Sequence, residues 1–200
     1  MTCFSVATFN VRGLNDNKKK EDLSIDIDRY KVDVACLQEC KIKDGIDEEI
    51  NGKRLYVFPT VESSYGLGFI INEKWIDNVY RVWKVNERIA AIQITPAIKR
   101  EERKYKVSQK NCKTKIQLPN IKKSITIINV YAPHSQLTQD HPEQTEALYD
   151  KLDETYKNLQ KKSDNIIIAG DFNGSVGKRK ENENHIGRYS KGQGIEMESF

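Results

Sequence analysis

NIIIAGDFNG, residues Asn165–Gly174, is the stretch whose reading decides the fold. Ile166, Ile167, Ile168 and Ala169 form a short apolar run bounded by Gly170, the pattern of a strand buried on both faces. Asp171, Phe172 and Asn173 follow at once. A strand that delivers a carboxylate and a carboxamide at its C-terminal end fixes their positions as a free loop does not. Asp, Asn and Gly are also turn formers, so GDFN taken alone reads equally well as a hairpin bend.

Upstream, Pro142 sits where a helix can begin, and Leu148, Leu152, Tyr156 and Leu159 give it one apolar face as far as about Lys162. Before that helix, Ser124–Val130 has a strand pattern that ends in Asn129, Tyr131, Ala132 and Pro133. At the start of the chain, Phe4–Val11 alternates as a strand and stops at Asn10–Gly13. Asp16 then precedes a helix predicted from about Lys18 to Tyr30, with Leu23, Ile27 and Tyr30 on one face. Val32–Leu37 is another apolar run, terminating in Gln38, Glu39 and Cys40. Strand, helix and strand in succession predict a βαβ-like unit. Leu55–Phe58, Gly66–Asn72, Val79–Val85 and Arg88–Thr95 are short strands with no helical pattern between them, and they read as a meander.

Composition bounds the class. A chain of 200 residues suits one domain with a sizeable core, and 31% charged against 38% hydrophobic residues describes a heavily charged surface, not a disordered or membrane protein. No apolar run approaches bilayer length. The N-terminus, MTCFSVATFNVRG, is unlike a secretory signal, so an intracellular protein, nuclear or cytoplasmic, is expected. Cys3, Cys36, Cys40 and Cys112 stand at no zinc-type spacing and are too few for a disulfide framework, which predicts reduced, structural thiols. The net charge of +4 is a mild excess, but Lys99–Lys123 carries ten basic side chains against Glu101 and Glu102. Residues 99–123 therefore read as a basic inserted hairpin or loop. It is either simply solvated or laid along a nucleic-acid backbone, with Lys110, Lys113 and Lys115 as its contacts.

Four strands thus end in groups that chemistry can use: Asn10, Glu39, Asn129 with Tyr131, and Asp171 with Asn173. In α/β architectures such ends gather at one rim, where ligand sites form. Each residue also has a structural reading, as a turn cap, an exposed acid or a rim aromatic. Together they suit metal-assisted phosphoester hydrolysis, because an anionic phosphodiester repels a nucleophile until a hard cation neutralises the developing charge. Glu39 is an oxygen ligand of the kind Mg²⁺ prefers, Asp171 can orient or deprotonate water, and Asn173 and Tyr131 are neutral donors for a phosphate oxygen.

ATFNVRGL, LQECK, GLGFIIN, INVYAP and IIIAGDFNG, in that order and spacing, resemble the endonuclease/exonuclease/phosphatase superfamily. Asn10–Leu14 and Gln38–Lys41 are most similar to its branch in non-LTR retrotransposons and craniofacial-development-protein-2-like proteins. The resemblance implies a four-layer αββα sandwich of the deoxyribonuclease I type, expected to be a single domain over residues 1–200 and incomplete at its C-terminus. It implies Glu39 as the Mg²⁺ ligand, with Mn²⁺ as an alternative. Asn10 is implied as the neighbour of Glu39, Tyr131 as the phosphate-side tyrosine, Asp171 as the water-activating carboxylate, and Asn173 as the group orienting phosphate and water. The function implied is endonuclease-type hydrolysis of DNA. The alternatives are a phosphatase or lipid phosphodiesterase of the superfamily, and an inactive binding module of the same fold. Gly187–Tyr189 resembles the loop after GDFN, while SKGQGIEMESF departs from the pattern. The Asp-His pair that ends such domains has no counterpart here, and His134, His141 and His185 do not match its motif.

Overall fold

The structure, a computed structural model, describes residues 4–61, 65–95, 124–134, 140–163 and 165–174. The opening unit is a parallel pair. Strand β1 (Val6–Asn10) lies beside β2 (Val34–Gln38), with Val6 opposite Val34 and Asn10 opposite Gln38, and helix α1 (Asn17–Arg29) crosses between them. Asp16 caps this helix by accepting a 2.9 Å hydrogen bond from the Lys18 backbone N–H, which satisfies one of its orphan donors. Leu23 and Ile27 are buried as expected. Tyr30, predicted for the same face, is the C-cap residue, where the backbone leaves the helix and turns the ring into solvent, 61% exposed.

Strands β3 (Ile46–Ile50), β4 (Lys53–Val57) and β5 (Gly68–Ile71) complete a five-stranded sheet in the order β1-β2-β5-β4-β3. A short helix, α2 (Glu73–Ile76), then carries the chain to a second sheet. That sheet holds β6 (Val79–Lys84), β7 (Ile89–Ile94), β8 (Ile125–Tyr131) and β9 (Asn165–Asp171), in sequence order. β8 and β9 run parallel, joined by α3 (Pro142–Gln160). Two expectations are corrected here. The four central strands do not form one meander: β4 and β5 pair in the first sheet and β6 and β7 in the second, because α2 redirects the chain between them. β3 was not predicted, since Asp47, Glu48 and Glu49 hide its alternation. Ile46, Glu48 and Ile50 turn inward while Asp47 and Glu49 face water.

Period-two side-chain alternation sorts the core into three layers. Ala35, Leu37, Leu55, Val57 and Ile70 face α1 with Leu23 and Ile27. Val34, Cys36, Phe69 and Ile71 face the opposite sheet, where Ala90, Ile92, Ile94 and Ile127 meet them. Ile89, Ile128 and Val130 face Leu148, Leu152 and Leu159 of α3. Helix, sheet, sheet and helix are therefore stacked in the four-layer order expected. Each of these larger side chains contributes on the order of 1.5–3 kcal/mol by leaving water. Cys36 and Cys40 are buried free thiols within these layers, and burial pushes both pKa values up, in keeping with a structural role.

The stretch NIIIAGD forms β9 but is not buried on both faces. Among the described residues it pairs only with β8, at the edge of its sheet, and Ile168 is 39% exposed. β1 is likewise the edge of the first sheet, and it packs against β9 across the sandwich. This facing pair of edges brings the ends of the two sheets together.

Candidate active site

The site is built where β1, β2, β8 and β9 end. Asn10 is the last residue of β1, and its amide nitrogen donates to Glu39 Oε1 at 2.7 Å and to Asp171 Oδ2 at 3.0 Å. One carboxamide thus joins two carboxylates that belong to different sheets. Glu39 directly follows β2, and its backbone turns through φ 54°, a left-handed conformation that a non-glycine residue adopts at a cost of about 1–3 kcal/mol. Tyr131, the last residue of β8, donates its hydroxyl to Glu39 Oε1 at 3.1 Å, and Lys41 Nζ lies 3.1 Å from Oε2. Asp171 ends β9, and its Oδ1 accepts the Asn173 backbone N–H at 2.9 Å. Asn173, itself at φ 47°, donates one amide hydrogen to the Ala132 carbonyl at 2.8 Å. All five residues singled out from the sequence, Asn10, Glu39, Tyr131, Asp171 and Asn173, therefore meet at one rim.

The electrostatics follow from those contacts. Partial burial raises the pKa of Glu39, but hydrogen bonds from Asn10, Lys41 and Tyr131, with the Lys41 charge, outweigh it and hold the carboxyl below its usual range. Tyr131 is pushed up to about 12 by burial, then by the negative charge and hydrogen bond of Glu39. It is a proton donor throughout the physiological range.

Asn129 belongs elsewhere. It points between the sheets, fully buried, where its Oδ1 accepts from Gln38 Nε2 at 2.7 Å and its Nδ2 donates to the Leu37 and Gly68 carbonyls at 2.9 and 3.0 Å. Gln38 also accepts from Thr8 Oγ1 at 3.0 Å. This buried network ties the sheets together directly beneath Glu39 and Tyr131. Sequence reading placed Asn129 at the working rim, because a residue near a strand end does not disclose which face it takes. His141 stands at the start of α3, 3.1 Å from Glu143. Lys110, Lys113 and Lys115, the basic segment 99–123, His185 and Gly187–Tyr189 lie outside the described residues, as do Cys3 and Cys112. Sequence reading passed over Arg88 and Tyr65, whose side chains border Tyr131. Nothing in their local sequence marks them, since both matter only through partners distant along the chain.

Among the described residues no three His, Cys, Asp or Glu side chains converge as a metal cage. A strongly hydrated ion such as Mg²⁺ does not need one, because it usually takes one or two carboxylates and retains several waters. The donor set at the rim fits that pattern. Glu39 supplies an ionised carboxylate, oriented by the Asn10 amide on Oε1 and faced by the Lys41 ammonium on Oε2.

The sequence profile of the Endonuclease/Exonuclease/phosphatase family matches residues 7–179, and the chain belongs to that family. Solved structures share its fold. The AP endonuclease LMAP from Leishmania major superposes with a TM-score of 0.62 at 18% identity, over 86% of this chain and 56% of that one. The catalytic domain of Xenopus laevis APE2 gives 0.55 at 15% identity, over 89% and 62%. An AP endonuclease from Archaeoglobus fulgidus gives 0.51 at 16% identity, over 86% and 58%. The chain thus spans between 56% and 62% of the length of these structures. No curated protein sequence matches it.

Proposed function

We propose that the chain carries the site of a Mg²⁺-dependent phosphodiesterase that cuts DNA. The observation that carries this reading is the Asn10 bridge between Glu39 and Asp171, which sets two carboxylates of different sheets side by side at one rim. Glu39, oriented by the Asn10 amide, would hold the ion, and the ion would neutralise charge developing on the phosphate. Asp171 is held by Asn10 on one oxygen and by the Asn173 backbone on the other, so it can orient a water and accept its proton. Asn173 has a second amide hydrogen for a phosphate oxygen. Tyr131 donates its single hydroxyl hydrogen to Glu39 and so orients that carboxylate; turned from it, the same hydroxyl could donate to a phosphate oxygen. DNA is preferred as substrate because Asn10–Leu14 and Gln38–Lys41 resemble the retrotransposon branch of the family, and because similar structures include AP endonucleases from Leishmania major and Archaeoglobus fulgidus.

The test is nicking of supercoiled plasmid with Mg²⁺ and with EDTA, beside release of phosphate from a phosphomonoester. The expected result is metal-dependent nicking that falls by on the order of a hundredfold or more in Glu39→Gln and in Asp171→Asn. Nicking that persists in both variants overturns the site assignment. Hydrolysis of the monoester with the plasmid intact transfers the protein to the phosphatases of the family.

A further inference from the structure

Arg88 is half-buried immediately before β7. Its guanidinium is committed to two tyrosines. Nη1 donates to the Tyr131 carbonyl at 3.3 Å, Nη2 donates to the Tyr65 hydroxyl at 3.0 Å, and the group lies 4.4 Å from the centre of the Tyr65 ring. The Tyr131 ring is 5.7 Å away, and the two tyrosine rings meet edge to face at 6.1 Å. The main chain reinforces the link, because the Tyr131 N–H donates to the Arg88 carbonyl at 2.9 Å.

Tyr65 leads to the other half of the site. Its carbonyl accepts the Lys41 N–H at 2.9 Å, and the Gly66 carbonyl accepts the Cys40 N–H at 3.0 Å, so the Tyr65–Gly66 segment backs the turn that presents Glu39. The approach is close enough that a Cβ on Gly66 would stand 2.9 Å from the Lys41 nitrogen. We propose that Arg88 is a positioning residue: by binding Tyr65 and the Tyr131 carbonyl at once, it holds the Glu39 turn of one sheet at a fixed distance from Tyr131 of the other. A planar guanidinium can serve both acceptors and stack on a ring, whereas a lysine ammonium is a point charge on a flexible stem. The inference rests on the phosphodiesterase reading of the rim for its catalytic consequence, but the geometry it predicts can be measured separately.

Crystal structures and plasmid-nicking kinetics with Mg²⁺ would be compared for the wild type, Arg88→Met, Arg88→Lys, Tyr131→Phe and the Arg88→Met/Tyr131→Phe pair. In Arg88→Met the Tyr131 hydroxyl should leave Glu39, beyond about 3.5 Å. kcat should fall about tenfold with KM nearly unchanged, since small displacements of catalytic groups are costly. Arg88→Lys should resemble Arg88→Met, and adding Arg88→Met to Tyr131→Phe should cost no further activity. Should Arg88→Met fail to fold, Tyr65→Phe, which removes only the hydroxyl acceptor, should lengthen the same contact and lower kcat less. An intact Tyr131–Glu39 contact in the folded variants overturns the proposal. So does a rise in KM at constant kcat, which would mean that Arg88 meets the substrate itself. If the contact breaks while even the wild type hydrolyses no phosphate ester, the positioning role stands and the phosphodiesterase reading falls.

Discussion

Glu39 concentrates most of the site's chemistry in one side chain: a left-handed backbone, an amide and a phenol on one oxygen, and an ammonium near the other. Its folded pKa is depressed, so the stability it contributes is present above the unfolded value of about 4.3 and is lost as pH falls through the folded value. In metal-free protein, the difference in unfolding free energy between wild type and Glu39→Gln should therefore shrink from neutral pH to about pH 3. Urea titrations across that range measure it, and a difference that stays constant would show that the three donors do not favour the ionised form. At this scale the sequence was informative wherever a polar residue closes an apolar run, as Asn10, Glu39, Tyr131 and Asp171 do. It was silent on Arg88 and Tyr65, which are 23 residues apart and join only in space. It also misplaced Asn129, whose polar group serves the interior.

At the scale of the element, β9 depends on Gly170. The residue sits opposite Val130 with φ 152°, and a Cβ there would stand 1.9 Å from the Val130 carbonyl oxygen. That atom is backbone and cannot swing aside. Gly170→Ala should destabilise the protein by roughly 3 kcal/mol and displace Asp171. Chemical denaturation checks the first effect. The second would appear as lost nicking in protein that remains folded, and an alanine variant of wild-type stability would show that β8 and β9 separate more easily than this geometry allows. The parallel β1-α1-β2 and β8-α3-β9 units were legible because their apolar periods change from two to about 3.6 and back. β3 was not, because three acids in five residues conceal an inward face formed partly by Glu48, which pairs with Lys20 of α1 at 2.8 Å.

For the whole molecule the decisive contact is between sheets. Asn129, fully buried, serves the Leu37 and Gly68 carbonyls and the Gln38 amide at once. Asn129→Ala would remove three buried hydrogen bonds and leave the Gln38 amide nitrogen without its partner, and a cost of roughly 3 kcal/mol is expected in urea unfolding. Asn129→Leu should be no milder, because an apolar side chain also leaves the buried Gln38 amide without its acceptor; a near-neutral leucine variant would mean that packing alone sets the spacing of the sheets. The four-layer architecture could be anticipated from the ordered motifs, whereas the passage between sheets at α2 could not, since strand patterns do not state their neighbours.

The bridge from Asn10 to Asp171 spans 161 positions of the chain, nearly the longest separation the described residues permit. Contacts so distant carry a high loop-closure cost and form late, after the local units they connect. Asn10 and its partner strand β2 lie in the first fifth of the sequence, whereas Asp171 arrives only with β9. The ingredients of the rim are thus spread along the described sequence and meet only when both sheets are docked. The bridge therefore reports on the docking of the two sheets: it forms only where β1 and β9 face each other.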